Sequence, residues 1–236
     1  MPSPETSRNE RVEIGYIKPV KAEIFKEYIS PTSMIDSSTP VWWKDFYDDE
    51  RDDDEVDRDR SQAQGLLAHK IMEAVGNGIT LEEVLQSSSS SLLQVQTAIS
   101  QENAEEVYQY LSSLKNHPLI EEIENSSASM NEYRITKPLE KYLLYGRLDK
   151  IIKSPDGFRI LDFKYSKSGS NSDAHEFQMR FYLYLAREIF SPLLGAELFY
   201  LKDGISKRIE LSDKELPAFE DELMERISRY QKSLSN

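Results

Sequence analysis

The order of elements that this sequence predicts is helices, then three strands, a helix, a strand pair and a closing helix, which places it in the α/β class. Three observations carry that reading. Ser154-Pro155-Asp156-Gly157 lies between two runs rich in β-branched and large apolar residues, the signature of a hairpin. Apolar stripes of helical period cover 62–76, 103–115 and 173–190. Asp203-Gly204, a favoured turn pair, separates further strand-like runs at 196–202 and 205–211.

Along the chain, residues 11–29 hold short apolar stretches without a clear period, and Ser30-Pro31-Thr32-Ser33 can begin a helix. Trp42, Trp43, Phe46 and Tyr47 form an aromatic cluster that anchors a segment to its core or stacks bases. The charged block Asp48–Arg60 reads as a solvated loop, or more sharply as an acidic arm over a DNA channel. Residues 1–61 are therefore expected to be an N-terminal extension with an acidic loop over 48–60, and 62–236 the main domain. The helix at 62–76 turns Leu66, Leu67, Ile71, Met72 and Val75 inward and stops at Gly76-Asn77-Gly78. Thr80 caps the next helix, with Glu82 and Glu83 in its first turn. The serine run Ser87–Ser91 reads as a flexible connector, followed by helices at 92–99 and 103–115. His117-Pro118 starts a short helix, and His117 reads as structural. Strands are expected at about 129–136, 142–152 and 158–165, then a polar loop at 166–172. On the helix at 173–190, Gln178 and Tyr182 share a face; Arg180 and Arg187 either reach phosphates or only solvate it. An amphipathic helix closes the chain over 213–234.

Composition narrows the function. The 236 residues carry a net charge of −13, yet Arg134–Arg208 holds 14 Lys/Arg against 9 Asp/Glu, a local excess of +5. A positive segment favours phosphate contact through counterion release. There is no cysteine, which excludes disulfides, cysteine zinc sites and iron–sulfur clusters and is compatible with a reducing cytoplasm. No apolar run is long enough for a membrane span, and the N-terminus has no apolar signal region.

The hairpin carries the chemistry. Asp162 and Lys164, two apart, share a strand face while Phe163 points away. A two-residue loop at Pro155-Asp156 would set Asp149 opposite Asp162, with Cβ atoms about 4.5–5.5 Å apart. A three-residue loop with a bulge at Gly157 would shift the pairing by one and separate them. Two carboxylates so close repel unless a hard cation neutralises them. An isolated Asp-x-Lys is usually a weak surface ion pair. Here Leu148, Ile151, Ile152, Ile160, Leu161 and Phe163 imply strands buried on both faces, where charge is costly unless paired or bound to metal.

Gly146-x-x-Asp149, a hairpin, Asp162-Phe163-Lys164 and Gln178-x-x-x-Tyr182 on a helix together resemble the PD-(D/E)XK nucleases of the RecB/AddA type. Upstream, Gly65–Glu73 resembles that family's helix with a metal-ligating histidine, here His69, and Glu132 resembles the glutamate on the strand before Gly-x-x-Asp. The resemblance covers about residues 62–211 and implies a restriction-endonuclease-like αβββαβ core, a mixed sheet flanked by helices, with extra N-terminal helices. It also implies Mg²⁺ or Mn²⁺ held by His69, Asp149, Asp162 and the backbone carbonyl of Phe163. The implied catalytic set is Asp149, Asp162 and Lys164, with Glu132 assisting and Gln178 and Tyr182 positioning the substrate. AddB-type and CRISPR-associated relatives carry a cysteine-ligated cluster, which this chain cannot.

The expected activity is metal-dependent hydrolysis of DNA, most readily single-stranded where it is cut. The expected context is a nuclease domain excised from a cytoplasmic, bacterial-type helicase–nuclease that repairs and recombines double-strand breaks. The chain has no G-x-x-x-x-G-K-[ST] loop, so a helicase domain or partner subunit would supply the motor. The rival expectation is a catalytically silent module that binds DNA or a partner through the same fold.

Overall fold

Ser154 pairs with Gly157 across the tight turn, so Pro155-Asp156 is the two-residue loop and the alternative bulged register does not occur. The pairing runs back to Lys150 opposite Leu161, as the sequence register requires. In this computed structural model the described residues are 27–35, 55–87, 99–169 and 172–234. The aromatic cluster at 42–47 and the serines at 88–91 lie outside them, as does most of the helix expected at 92–99.

The described elements are β1 (Glu27–Ile29), α1 (Pro31–Ile35), α2 (Glu55–Ala74), α3 (Leu81–Gln86), α4 (Gln101–Ser113) and α5 (Pro118–Glu124). After these come β2 (Ala128–Leu139), β3 (Tyr142–Ser154), β4 (Gly157–Lys164), α6 (Ser172–Ala186), β5 (Leu193–Tyr200), β6 (Ile205–Ile209) and α7 (Leu216–Leu234). This is the expected α/β order, with αβββαβ at its centre. The strands form one mixed six-stranded sheet in the order β1-β3-β4-β5-β6, with β2 also paired to β3. β2 runs antiparallel along nearly all of β3. That leaves the other edge of β3 to be shared by β1, parallel at residues 142–144, and β4, antiparallel at 150–154. β4 and β5 are parallel, which requires a crossover, and α6 supplies it.

Helices cover both faces of the sheet. Ile160, Leu148 and Ile151 pack with Met179, Phe181 and Leu185 of α6 and with Phe219, Leu223 and Ile227 of α7. Leu161, Phe163 and Ile152 pack with Leu67, Ile71, Leu111 and Ile120 of α2, α4 and α5. Alternation along β4 therefore sends Leu161 and Phe163 to one face and Ile160, Asp162 and Lys164 to the other.

Two expectations change. The loop expected over 48–60 is helix from Glu55 onward. Its first described side chain, Arg60, pairs with Glu106 of α4 at 2.7 Å, a tertiary contact that local composition does not reveal. The segment expected as an extension contributes β1 to the sheet, with Ile29 fully buried. His117 is structural as expected: its Nδ1 accepts from Leu119 N at 3.1 Å and caps α5.

Candidate active site

The site forms where β3 and β4 part. Beyond Lys150↔Leu161 the next register positions are Asp149 and Asp162, and the ladder stops there. Phe163 N donates to Asp149 Oδ2 at 3.0 Å, so a side chain replaces the missing strand partner. Asp162 is 2% exposed, and its Oδ2 lies 3.4 Å from Lys164 Nζ, itself 7% exposed. That carboxylate oxygen accepts no well-formed hydrogen bond among the described residues. Burial pushes the Asp162 carboxyl up to about 6 against the opposing pull of Lys164, and burial likewise raises Asp149.

The neighbours arrive from three elements. His69 of α2 places Nδ1 3.4 Å from Asp149 Oδ2 and packs edge-on to Phe163 at 6.3 Å between ring centroids. Glu73, one turn on, is held instead by Lys70 at 2.8 Å. Glu132 of β2 falls between the pairs Asn131↔Lys150 and Tyr133↔Leu148, and so beside Asp149. It adopts φ +49°, left-handed backbone that a non-glycine residue holds at a cost of about 1–3 kcal/mol. Its carboxylate meets Arg147 Nε at 3.0 Å, and burial raises its pKa. From α6, Gln178 Nε2 donates to the Tyr182 hydroxyl at 3.0 Å, and both side chains are buried. Tyr182 packs against Gly146, where a Cβ would stand 3.1 Å from its ring and 2.9 Å from Leu185 Cδ1. Gly146 is thus what allows α6 to lie against β3.

The sequence reading overlooked two residues here. His175 of α6 is 1% exposed, with Nδ1 3.2 Å from the Tyr200 hydroxyl. Burial, with the Lys164 charge adding to it, lowers its pKa to about 3, so the ring is neutral. The spacing His175, Gln178, Tyr182 (i, i+3, i+7) is the signal that could have found it. The second is Lys150, wholly buried, whose ammonium is lowered to about 8 by burial. Arg180 pairs with Glu222 of α7 and Arg187 with Asp213 just before α7, so these two cations tie α6 to the closing helix.

Residues 45–235 match the PD-(D/E)XK nuclease superfamily, and the chain belongs to that superfamily. Among solved structures, a Eubacterium rectale protein named as a candidate exonuclease aligns with a TM-score of 0.50 and 11% identity, over 96% of this chain and 86% of its own. The protein SSO0001 aligns with a TM-score of 0.39 and 15% identity, over 93% of this chain and 80% of its own. The likeness to the Eubacterium rectale protein concerns the fold alone. No curated protein matches the chain. No helix among the described residues is long and apolar enough to cross a membrane.

Members of this superfamily generally use divalent metals. Among the described residues, no group of three or more His, Cys, Asp or Glu side chains stands close enough together to hold a metal ion by itself. The donors present nonetheless suit a hard cation: a buried carboxylate, Asp162, with an oxygen lacking a well-formed hydrogen bond, a half-buried one, Asp149, and an imidazole beside the latter. Mg²⁺ is ordinarily held by one or two carboxylates, with waters and phosphate oxygens completing its shell.

Proposed function

We propose that the chain hydrolyses phosphodiester bonds in DNA, using Mg²⁺ or Mn²⁺ held by Asp149, Asp162, His69 and the carbonyl of Phe163. The observation that carries this is the juxtaposition of buried Asp162, half-buried Asp149 and Lys164 where the hairpin ladder breaks. A cation held there would supply Lewis acidity, lowering the pKa of a water and offsetting charge on the phosphate. Lys164 provides a cationic donor to orient that water and bind the scissile phosphate. His69 and the Phe163 N–H hold the Asp149 carboxylate in one orientation. Glu132 adds negative potential beside Asp149 while Arg147 restrains it. Gln178 and Tyr182 form a polar wall for the backbone or bases of the substrate.

The substrate is proposed to be single-stranded at the cut, fed by a helicase domain or partner subunit during double-strand break processing in a bacterial-type cytoplasm. The resemblance of the motifs to the RecB/AddA type, and the local positive excess over Arg134–Arg208, support that context.

The test is incubation of single-stranded DNA with Mn²⁺ and the chain, or its Asp162→Ala and Lys164→Ala variants. Each substitution is expected to lower the cleavage rate by about 10²–10⁴ with circular dichroism unchanged. Undiminished cleavage in both variants overturns the assignment. Binding without cleavage by the wild type points to a silent module.

A further inference from the structure

Lys150 is wholly buried, yet among the described residues its ammonium makes no hydrogen bond to a carboxylate. Nζ instead donates to three neutral acceptors: the carbonyl of Val75 at 2.9 Å, the carbonyl of Glu73 at 3.3 Å and Asn131 Oδ1 at 2.5 Å. An ammonium has three donors, and three acceptors surround it. The two carbonyls belong to the C-terminal end of α2, where the last backbone oxygens have no helical partner and the helix dipole is negative.

The same end is tied down again from β2. Asn131 Nδ2 donates to the Glu73 carbonyl at 2.8 Å, and Asn77 exchanges two hydrogen bonds with the backbone of Ser129, at 2.8 and 3.3 Å. Each anchor adjoins a residue of the site. Lys150 follows Asp149, Asn131 precedes Glu132, and Glu73 lies one helical turn, about 6 Å of rise, beyond His69.

We propose that Lys150, with Asn131, is the positioning residue of this centre, a buried clamp that locks the end of α2 onto β2 and β3. The clamp fixes how His69 approaches Asp149. This rests on the proposed metal-dependent reading and deepens it. A slide of α2 by one ångström would change the 3.4 Å His69–Asp149 approach substantially, and misplacement on that scale can cost about 10²-fold in rate. An unbranched apolar side chain, methionine, would fill most of the space but leave the Val75 carbonyl without its donor.

The test titrates Mn²⁺ into the full chain, reading free Mn²⁺ by electron paramagnetic resonance and the three histidine rings by proton NMR. In the wild type, the first equivalents of Mn²⁺ should broaden the His69 resonance more strongly than that of His117, whose ring stacks on Phe199 one strand away from Phe163. In Lys150→Met the affinity should fall about 10–100-fold, with the broadening of His69 weakened at each Mn²⁺ concentration. Wild-type affinity and broadening in a folded Lys150→Met overturn the clamp and leave the metal-dependent reading standing. Failure of Mn²⁺ to broaden His69 in the wild type overturns both. Should Lys150→Met not fold, Asn131→Ala decides, since it keeps the ammonium and removes the two hydrogen bonds that Asn131 makes to Lys150 and to the Glu73 carbonyl. There a loss of affinity of about 3–10-fold is expected, and no loss overturns the proposal.

Discussion

At the turn end of the β3–β4 hairpin, five consecutive pairs close the ladder from Lys150↔Leu161 to Ser154↔Gly157. Ile151 and Ile160 there bury fully against α6 and α7, while Ile152 and Leu161 bury against α2 and its neighbours. One step beyond Lys150↔Leu161 the same two strands part. Asp149 and Asp162 take the next positions, and a side chain accepts the backbone N–H that a strand would have satisfied. The apolar half stabilises the hairpin strongly enough for the other half to hold charge in a buried place. A ladder that continued would neutralise its own backbone and leave no opening for a phosphate.

Truncation in the apolar half should therefore cost stability rather than chemistry. Ile151→Ala removes a fully buried side chain that packs with Ile160, and should destabilise the fold by about 2–5 kcal/mol in urea unfolding. Mn²⁺ affinity of the folded fraction should stay near that of the wild type. A loss of Mn²⁺ affinity as large as that expected for Lys150→Met would mean that the two halves are not separable.

Legibility in the sequence divides along the same line. The hairpin is legible in Ser154-Pro155-Asp156-Gly157, but its residues allow two registers, and only the observed Ser154↔Gly157 pairing selects the one that sets Asp149 and Asp162 at matching positions. The spacing of Gln178 and Tyr182 on one helix face was readable for a similar local reason. The contacts that join distant segments were not. Glu55–Arg60 shows no apolar period, so nothing local marks it as helix. The three-residue β1 pairs with residues more than a hundred positions away. Lys150 sits in a strand as an ordinary charged residue until α2 ends above it. Glu73 stands four residues beyond His69 on one helix, a spacing that would pair them, and only the position of Lys70 shows that its carboxylate is held elsewhere.

The charged half should show itself in pH dependence. Burial raises Asp162 from 3.8 to about 6 in the folded chain. Between those values the folded state holds the Asp162 proton more tightly than the unfolded state, so the contribution of Asp162 to stability is most favourable below about 4 and is lost as pH rises through about 6. Asp162→Asn removes this titration. In metal-free buffer, the variant's stability relative to wild type should therefore improve by on the order of 1–3 kcal/mol between pH 4 and pH 7, read by urea unfolding at each pH. An equal pH slope for both proteins would show that Asp162 is not held as a strained buried carboxylate. Mn²⁺ affinity of the wild type should rise across the same window, because a ligand carboxylate must be ionised.

The smallest expected effect on the fold separates two glycines on the hairpin. Gly157, at the turn, adopts φ +149°, and a Cβ there would meet the Pro192 carbonyl oxygen at 2.4 Å. Both backbone and conformation oppose any side chain. Gly146, toward the charged end, is needed for space: its Cβ would meet the tip of Leu185 at 2.9 Å and the Tyr182 ring at 3.1 Å. Side chains can yield by tenths of an ångström, so Gly146→Ala should cost only about 1 kcal/mol. The yielding groups belong to α6, however, and Tyr182 is hydrogen-bonded to Gln178. Displacing that pair should weaken substrate positioning, raising KM for single-stranded DNA several-fold while Mn²⁺ affinity holds. A variant with unchanged KM would mean that α6 serves the sheet alone and that Gln178 and Tyr182 do not face the substrate.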